Sequence, residues 1–465
     1  MNTSAAPIHT HFERLHDTFL SHKTYDLHWR RRQLEQLAVM LRTHKAEFIQ
    51  ALAEDLGKPA TEAWVTEIGF LLSDIRYQLK HLFKWTKPKR VSSPLAIQPA
   101  RSRLVPEPLG VVLVMGAWNY PLQLSLAPVI AALTAGNCVM LKPSEVSPAT
   151  AAVLAKRVPE YLDSSCVQVL EGDASVANEL LTLPFHHVFY TGGGQVGKIV
   201  MRAAAEHLTP VTLELGGKSP VVVSKHTNIK VTAQRIVWGK FINAGQTCIA
   251  PDYVLVEEDV HEELVAALKE AIHTFYGSTP DESNDYGRIV AKRHVERLAK
   301  LIEPEALAGA SLYGGEYDLE TNYFAPTIVD NCSPESPLMQ EEIFGPILPV
   351  IGVPDVPAAY AFIRSKARPL ACYVFSQDKT ELRQAEHFIQ CGTLCINDTI
   401  SFMLNPKIPF GGVGGSGMGR YHGKWGFDTF SHLKPVVTRS FSFELDVRYP
   451  PFTSLKTKLL KMLLG

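Results

Sequence analysis

The sequence predicts an α/β protein with two parallel β-sheets, and three observations support this. Short β-rich runs alternate with Ala-rich helical segments, the pattern of parallel strands joined by helical crossovers. The alternation restarts after about Leu213, which predicts a second domain of the same class reaching about Asp398. Polar or glycine-rich loops follow the first strands, and ligands of such sheets gather at the carboxyl ends of strands. The predicted strands are residues 111–115, 138–141, 167–170, 187–190, 220–223 and 253–256.

Length and composition exclude several classes of protein. The chain has 465 residues, 46% of them hydrophobic and 20% charged, which excludes a disordered or collagen-like chain. At roughly 150 residues per domain, the length predicts two or three domains. Lys and Arg total 46 against 47 Asp and Glu. The basic excess of a nucleic-acid-binding protein is therefore missing, and we expect no nucleic-acid partner.

Hydropathy and cysteine usage predict a cytoplasmic protein. No apolar run approaches the roughly 18 residues of a bilayer span, and no apolar signal core stands near the N-terminus. The 7 cysteines are few and include no CxxC pair. Reduced thiols are therefore expected rather than a disulfide framework.

Helical and connecting segments surround the sheets. Apolar residues recur at helical spacing over residues 25–56, ended by Gly57-Lys58-Pro59, and over residues 68–83. We interpret both as scaffold. Residues 87–108 contain five prolines and are predicted to form a connector or edge strand. Residues 401–465, rich in Gly, Pro and aromatic residues, are predicted to pack on the rest of the chain as an extension.

A glycine-rich turn follows the fourth predicted strand. Glycines there let the backbone approach phosphates, and the next helix offers free N–H groups at its N-terminus. Gly192, Gly194 and Gly197 fit the pattern GxGxxG. Gly192, Gly197 and Lys198 also fit the GxxxxGK of phosphate-loop NTPases, but Ile199 stands where Ser or Thr would hold magnesium. We favour a nucleotide site that is not an NTPase; a purely structural turn is the alternative.

Cys248 and Glu214 are the candidate reactive side chains. Cys248 ends Asn243-Ala244-Gly245-Gln246-Thr247-Cys248 in a predicted loop, where a thiol is better placed to react than inside an apolar strand. Glu214 follows the glycines at about the distance of the acid that holds ribose hydroxyls in a Rossmann domain, and it would equally suit a general base. Spacing alone does not decide between these roles and a solvated carboxylate at a strand end.

A metal centre is not expected. Cys391 and Cys395 are the closest pair of cysteines, but no second pair and no suitably spaced His accompany them.

Seven motifs follow one another along the chain. They are Trp118-Asn119-Tyr120-Pro121, Lys142-Pro143-Ser144-Glu145, the turn from Gly192 to Gly197, Glu214-Leu215-Gly216-Gly217-Lys218, Gly245-Gln246-Thr247-Cys248, Glu342-Ile343-Phe344-Gly345-Pro346 and Pro409-Phe410-Gly411-Gly412. In this order they resemble the aldehyde dehydrogenase superfamily over about residues 25–449. The compact N-terminus, Asn119-Tyr120-Pro121-Leu122 and the ending Arg448-Tyr449-Pro450-Pro451 are most similar to the class 3 branch, which acts on fatty and aromatic aldehydes.

The resemblance implies NAD(P)-dependent oxidation of a medium- or long-chain aliphatic, or an aromatic, aldehyde to the carboxylic acid. By this resemblance Cys248 is the nucleophile, which forms a thiohemiacetal and then a thioester. Asn119 supplies an amide to the oxyanion, together with the backbone N–H of Cys248. Glu214 activates the water that hydrolyses the thioester.

The cofactor contacts are likewise implied by the resemblance. Lys142 and Glu145 match the pair at the adenine-side ribose, and Glu342 matches the carboxylate at the nicotinamide ribose. A carboxylate at position 145 favours NAD, because it bonds a 2′-hydroxyl and repels a 2′-phosphate; NADP remains possible. The other expected contacts are Phe344 near the nicotinamide ring, the phosphate-side turn marked by Gly192 and Gly197, and Leu215.

The implied fold has a Rossmann-type cofactor domain, an α/β catalytic domain and a small bridging β element. Strands near residues 90–103 and 430–442 are expected to pair between subunits in a homodimer. In the tail, Leu455, Leu459 and Leu463 form one helical stripe among three lysines, for which we favour docking on the protein over contact with a membrane surface. The expected domains are 1–86 and 104–212 for the cofactor, 213–400 for catalysis, 87–103 and 425–445 for bridging, and 446–465 for the tail.

Two alternatives stay open beside the hydrolytic dehydrogenase. One is an acylating enzyme that passes the acyl group to coenzyme A; the presence of Glu214 argues against it. The other is a catalytically silent structural or binding member, which the intact Cys248, Asn119 and Glu214 argue against. We expect the substrate tunnel to be lined from residues 118–122, residues 238–241 and the aromatic C-terminal stretch.

Overall fold

The computed structural model describes residues 7–307, 309–442, 444 and 446–464, and two large sheets dominate it. All six predicted strands are present, each within one residue of its predicted end. The strands are β1 Lys89–Val91, β2 Ala100–Pro108, β3 Val111–Met115, β4 Cys138–Lys142, β5 Val167–Val169, β6 His187–Thr191, β7 Val211–Glu214, β8 Pro220–Val223, β9 Tyr253–Glu257, β10 Ser311–Tyr313, β11 Tyr317–Asp318, β12 Tyr323–Phe324, β13 Thr327–Asp330, β14 Ile347–Val353, β15 Ala371–Phe375, β16 Thr393–Ile396, β17 Gly417–Met418 and β18 Ser431–Arg439.

Helices lie before, between and after these strands. The α-helices are α1 Ile8–Leu20, α2 Leu27–Thr43, α3 Lys45–Leu56, α4 Ala60–Ala63, α5 Gly69–Trp85, α6 Pro121–Ala135, α7 Pro148–Tyr161, α8 Ala174–Leu180, α9 Gly194–Ala205, α10 Ile229–Phe241, α11 His261–Tyr276, α12 Lys292–Lys300, α13 Pro304–Leu307, α14 Val356–Arg364, α15 Lys379–Phe388, α16 Gly423–Thr429 and α17 Ser454–Leu464.

The six-stranded sheet has the strand order of a dinucleotide-binding domain. Its order is β17-β7-β6-β3-β4-β5, with β17 antiparallel to β7 and the other pairs parallel. Numbered along the chain, the five parallel strands therefore run 3-2-1-4-5, and the order reverses between β3 and β6. Ligands bind at such a switch point, outside the carboxyl ends of the strands. The loop after β3 and the glycine-rich turn after β6 flank this crevice.

The seven-stranded sheet continues directly from the first. Its order is β10-β13-β14-β9-β8-β15-β16, parallel except for β10 against β13. The chain leaves the carboxyl end of β7 and, after residues 215–219, enters the amino end of β8. The carboxyl edge of the first sheet is therefore joined to the amino edge of the second, and loops from these two edges can share one site.

One helical prediction was wrong in detail. The pattern over residues 25–56 is two helices, α2 and α3, separated at His44. The ring Nε2 of His44 lies 3.0 Å from the hydroxyl of Tyr161 on α7. Periodicity did not register the break because apolar residues on both sides, such as Leu41 and Phe48, are fully buried in the same core.

The C-terminal stretch packs on the rest of the chain as predicted. It adds β17 to the first sheet, packs α16 on α5 and α6, and pairs β18 with β2 in an antiparallel sheet of order β1-β2-β18. Helix α17 lies beside the short helix Leu95–Ile97, while Leu455, Met462 and Leu464 stay exposed. Among the described residues, no helix has both the length and the apolar character needed to cross a membrane. The exact domain limits stay a prediction.

A fully buried ion pair anchors the start of α6. Lys58 Nζ lies 2.5 Å from Glu67 Oε1, and neither side chain is exposed. The other carboxylate oxygen of Glu67 accepts the backbone N–H groups of Leu122 (2.9 Å) and Gln123 (3.0 Å). Glu67 thus does the work of an N-cap side chain, which Tyr120 before the helix does not provide.

Removing one member of this pair is expected to destabilise the protein strongly. Lys58→Met leaves the Glu67 charge buried without its cation, which costs about 3–5 kcal/mol of unfolding free energy. The matched control is Lys292→Met, which breaks an exposed pair with Glu320 worth about 0–1 kcal/mol. Denaturant unfolding of both variants checks this. Equal midpoints for the two variants would contradict it.

Candidate active site

The loop that carries Cys248 is fixed by a sharp turn and by one glutamine. Asn243, Ala244 and Gly245 all have positive φ, at 53°, 49° and 75°, and a Cβ at Gly245 would collide with the carbonyl of Gly345. The side-chain amide of Gln246 donates to the carbonyls of Asn243 (3.0 Å) and Arg288 (2.9 Å). A turn of this kind is costly for non-glycine residues and is typical of functional sites.

Asn119 is held by the same network. Its amide Nδ2 donates to the carbonyl of Gln246 at 3.0 Å, two residues before Cys248. The backbone carbonyl of Asn119 accepts from Asn243 Nδ2 at 2.8 Å. The neighbouring Tyr120 hydroxyl lies 2.7 Å from Thr247 Oγ1. The loop after β3 and the Cys248 loop are therefore joined by three hydrogen bonds.

Glu214 ends β7 with a buried and unpaired carboxyl group. It is 3% exposed, and neither carboxylate oxygen has a hydrogen-bond partner in the described part of the chain. Burial raises its pKa well above the usual range. Its backbone carbonyl accepts the N–H of Gly192 at 3.0 Å, which links this strand end to the glycine-rich turn. Such a carboxyl is suited to take a proton from water.

Glu342 approaches from the second sheet, just before β14. Its carboxylate lies against Gly216, where a Cβ would collide with it. Burial, and then the charge of Asp252, raise its pKa to about 8. The pKa of Cys248 is raised by burial first and then by the charges of Glu342 and Glu214. The structure therefore brings the three predicted groups Cys248, Glu214 and Glu342 into one electrostatic environment.

An apolar pocket opens beside the thiol. Its volume is about 120 Å³. Tyr120 and Trp238 line it as predicted, but Trp118 does not: its ring packs on Phe344 (5.3 Å) and on His294 (5.5 Å). Trp118 is therefore not part of the lining of this pocket, while the limits of the whole substrate tunnel stay a prediction. The predicted C-terminal stretch contributes Met403, Leu404, Phe410 and Tyr421, and the sequence did not indicate the contributions of Val65, Phe70, Leu124 and Ile400.

Five of the seven predicted cofactor residues lie at or after the carboxyl ends of strands of the first sheet, and the other two precede β14 of the second sheet. The five are Lys142, Glu145, Gly192, Gly197 and Leu215, and the two are Glu342 and Phe344. Lys142 is the last residue of β4, and its Nζ is paired with Glu145 Oε2 at 2.8 Å. Helix α9 begins at the glycine-rich turn without a side-chain cap. Gly197 packs against Leu215, so this glycine brings α9 close to the sheet. Gly192 is the first residue after β6, and a side chain there would strike the Tyr190 hydroxyl.

These residues fit a dinucleotide. Gly193 and Gly194 have no atom near the position of a Cβ, so the uncapped N–H groups of α9 are accessible to a phosphate. The pair Lys142–Glu145 and the carboxylate of Glu342 offer hydrogen-bonding groups of the kind that ribose hydroxyls require, and Phe344 and Trp118 are aromatic neighbours. Among the described residues no group of three or more His, Cys, Asp and Glu is arranged to hold a metal ion.

Two groups near the site, one buried and one partly buried, were not found from the sequence. Lys240 on α10 is fully buried, and its Nζ has no hydrogen-bond partner in the part of the chain described. Burial lowers its pKa to about 8, while Asp252 and Glu342 oppose that shift. His294 on α12 lies against Trp118. Neither stands in a motif, so only the packing reveals them.

Comparison with known proteins agrees with the geometry. The model of the aldehyde dehydrogenase family matches residues 2–436. A 4,4′-diaponeurosporen-aldehyde dehydrogenase from Staphylococcus aureus is 44% identical over 434 residues, covering 93% of this chain and 94% of that protein. Aldehyde dehydrogenase family 3 member H1 of Arabidopsis thaliana is 45% identical over 94% of this chain and 90% of its own length.

Solved structures are similar over the whole chain. The substrate-bound state of Staphylococcus aureus AldH superposes with a TM-score of 0.96 at 43% identity, covering 99% of this chain and 100% of that one. Betaine aldehyde dehydrogenase from the same organism, in complex with NAD+, has a TM-score of 0.85 at 25% identity over 94% of this chain and 90% of that one.

The electrostatics of Cys248 predict how its thiol responds to pH. Because its pKa is raised, alkylation by iodoacetamide should keep accelerating above pH 9 in the cofactor-free enzyme. Glu342 is ionised above about pH 8, so Glu342→Gln should lower the thiol pKa and speed alkylation at pH 9 but not at pH 6. Mass spectrometry of the Cys248 peptide measures the rate.

The matched control is Glu341→Gln, which neutralises the exposed neighbour of Glu342. Equal rates for the two variants at pH 9 would show that Glu342 does not act on the thiol.

Proposed function

The chain belongs to the aldehyde dehydrogenase family and oxidises aldehydes with NAD(P), and we propose that it does so through a thiohemiacetal and a thioester on Cys248 to give the carboxylic acid. One observation carries the proposal: a loop thiol, an amide, one buried carboxyl group and one partly buried carboxyl group from separate elements converge beside an apolar pocket. Their roles in this enzyme are inferred from that arrangement.

The first step is addition of the Cys248 sulfur to the aldehyde carbon. The thiolate is the nucleophile, and in the free enzyme it is disfavoured first by burial and then, where these carboxyl groups are ionised, by the charges of Glu342 and Glu214. Asn119 bonds one of its two amide N–H groups to Gln246, and the second is available to the oxygen that becomes negative. NAD(P)+, when bound, accepts the hydride from the same carbon.

The second step is hydrolysis of the thioester. Glu214 is the candidate general base, because its carboxylate is buried, has no partner among the described residues and has a raised pKa. It takes a proton from the attacking water, and the hydroxide adds to the acyl carbon. The Cys248 sulfur then leaves and the acid is released. Separate oxidation and hydrolysis divide one difficult reaction into two.

The apolar pocket supports medium- or long-chain aliphatic and aromatic aldehydes as substrates. Its walls are mainly aliphatic and aromatic side chains around Cys248. Burial of apolar surface therefore supplies most of the free energy of substrate binding. One relative is named a 4,4′-diaponeurosporen-aldehyde dehydrogenase. The carboxylate of Glu145 favours NAD, and the paired ammonium of Lys142 leaves NADP acceptable.

A homodimer is the proposed assembly. Strand β18 has no partner on its outer edge within the described residues, and most of its side chains are exposed. Such an edge pairs readily with a second chain. Small-angle scattering at micromolar concentration should give the mass of two chains, 51.5 kDa each; the mass of one chain would contradict the proposal.

Replacing the proposed base should separate the two chemical steps. Glu214→Gln keeps the size of the side chain but cannot take a proton from water, so the acyl-enzyme should accumulate. Stopped-flow measurement should show one equivalent of NADH per site, followed by turnover at least 100-fold slower than in the unchanged enzyme, within the usual range for a lost general base.

The control is Cys248→Ala, which should bind NAD but give no burst. Steady turnover of Glu214→Gln at the original rate would assign the base elsewhere. Rescue of its turnover by coenzyme A alone would favour the acylating alternative.

A further inference from the structure

A second cavity borders the apolar pocket. Its volume is also about 120 Å³, and it shares Val65, Phe70, Met403 and Leu404 with the apolar pocket. Unlike the first pocket, it is also lined by a carboxyl group and an imidazole, those of Asp74 and His422.

Asp74 lies on α5 with little compensation for its charge. Its two oxygens accept only from the amide of Gln78, at 3.2 and 3.1 Å, and no ion pair reaches it within the described residues. Burial raises its pKa to about 7. The carboxyl group therefore retains acceptor capacity toward the cavity.

His422 is the second polar group of this cavity. It is 8% exposed, and its Nε2 has no partner in the described part of the chain. Its ring is fixed between Phe70 (5.7 Å) and Phe410 (5.4 Å). Burial lowers its pKa to about 4, so the ring is neutral at pH 7 and can both donate and accept one hydrogen bond.

Tyr421 connects this cavity to the reacting groups. It lines the apolar pocket, and its ring lies 4.5 Å from that of His422. Burial, and then the charges of Glu214, Cys248 and Asp74, raise the pKa of its hydroxyl. A chain whose aldehyde carbon lies at Cys248 can therefore pass Tyr421 and end beside Asp74 and His422.

We propose that this cavity, here called the polar end, binds a hydroxyl group at the end of the substrate remote from the aldehyde. The proposal rests on the function proposed above and specifies its substrate class. A hydroxyl donates to Asp74 and accepts from His422, whereas a methyl end bonds neither group and leaves Nε2 of His422 without a partner among the described residues. A charged end such as a carboxylate is disfavoured, because burial disfavours charge on Asp74 and His422 and neither side chain supplies a compensating charge. A neutral donor therefore suits this cavity.

The test compares kcat/KM for NADH formation in matched series from butanal to decanal. One series is the plain alkanals, the second carries a terminal hydroxyl, and the third carries a terminal trimethylammonium, a cation without a donor. We expect the hydroxyl series to exceed the plain series about tenfold at the chain length that reaches the polar end, the value of one good hydrogen bond.

Variants assign the preference to the two side chains. In Asp74→Leu and in His422→Phe the ratio of hydroxyl to plain kcat/KM should fall toward one, while Lys80→Ala, an exposed position on the same helix, should keep the original ratio. The ratio is independent of overall activity losses in a variant.

Three outcomes overturn the inference. They are a ratio near one at every chain length in the unchanged enzyme, a ratio unaffected by both cavity variants, and a trimethylammonium series that exceeds the hydroxyl series. NADH formation from plain alkanals with any of these leaves the proposed function standing. Absence of NADH formation from every aldehyde would instead contradict the proposed function itself.

Discussion

The ion pair between Lys58 and Glu67 is the interaction on which the site depends. It is fully buried and acts on two segments at once, the start of α6 and the loop before it. Glu67 holds the first N–H groups of α6, while Lys58 lies 4.1 Å from the ring centre of Tyr120 and 3.4 Å from the carbonyl of Asn119. A buried pair seldom adds net stability over an apolar packing. Its effect here is positional, since it fixes the loop that presents the amide to the thiol.

The arrangement of the two sheets explains why chemistry occurs where it does. The first sheet offers its carboxyl edge, with Asn119, the glycine-rich turn and Glu214, as parallel sheets usually do. The second offers its amino edge, since Cys248 precedes β9 and Glu342 precedes β14. Residues 215–219 join these edges directly. In the proposed mechanism the hydride acceptor and the Cys248 thiol meet at this junction, because each sheet contributes only part of the site.

The ionisable groups of the site lower the stability of the fold. Two carboxyl groups with raised pKa surround a thiol whose own pKa is raised, and Lys240 stays buried without a hydrogen-bond partner among the described residues. Such groups oppose stability and are typical of places where proton transfer is needed. The same applies on a smaller scale to Asp74 and His422. The carboxyl oxygens of Glu214 and the Nε2 of His422, which have no partner among the described residues, lie at the two ends of the proposed substrate.

The sequence by itself determined the strands and the motif residues. β-rich runs and glycine turns are local signals, and six strands followed from them within one residue. The ordered motifs also identified the family, which the comparisons confirm. Tertiary structure alone decided what depends on packing: the break at His44, the contact of Trp118 with Phe344 and His294, and the ion pair of Lys58, which in the sequence is only part of the Gly57-Lys58-Pro59 helix stop. Burial and partner choice for such residues depend on chain segments tens to hundreds of positions away, and no local pattern encodes them.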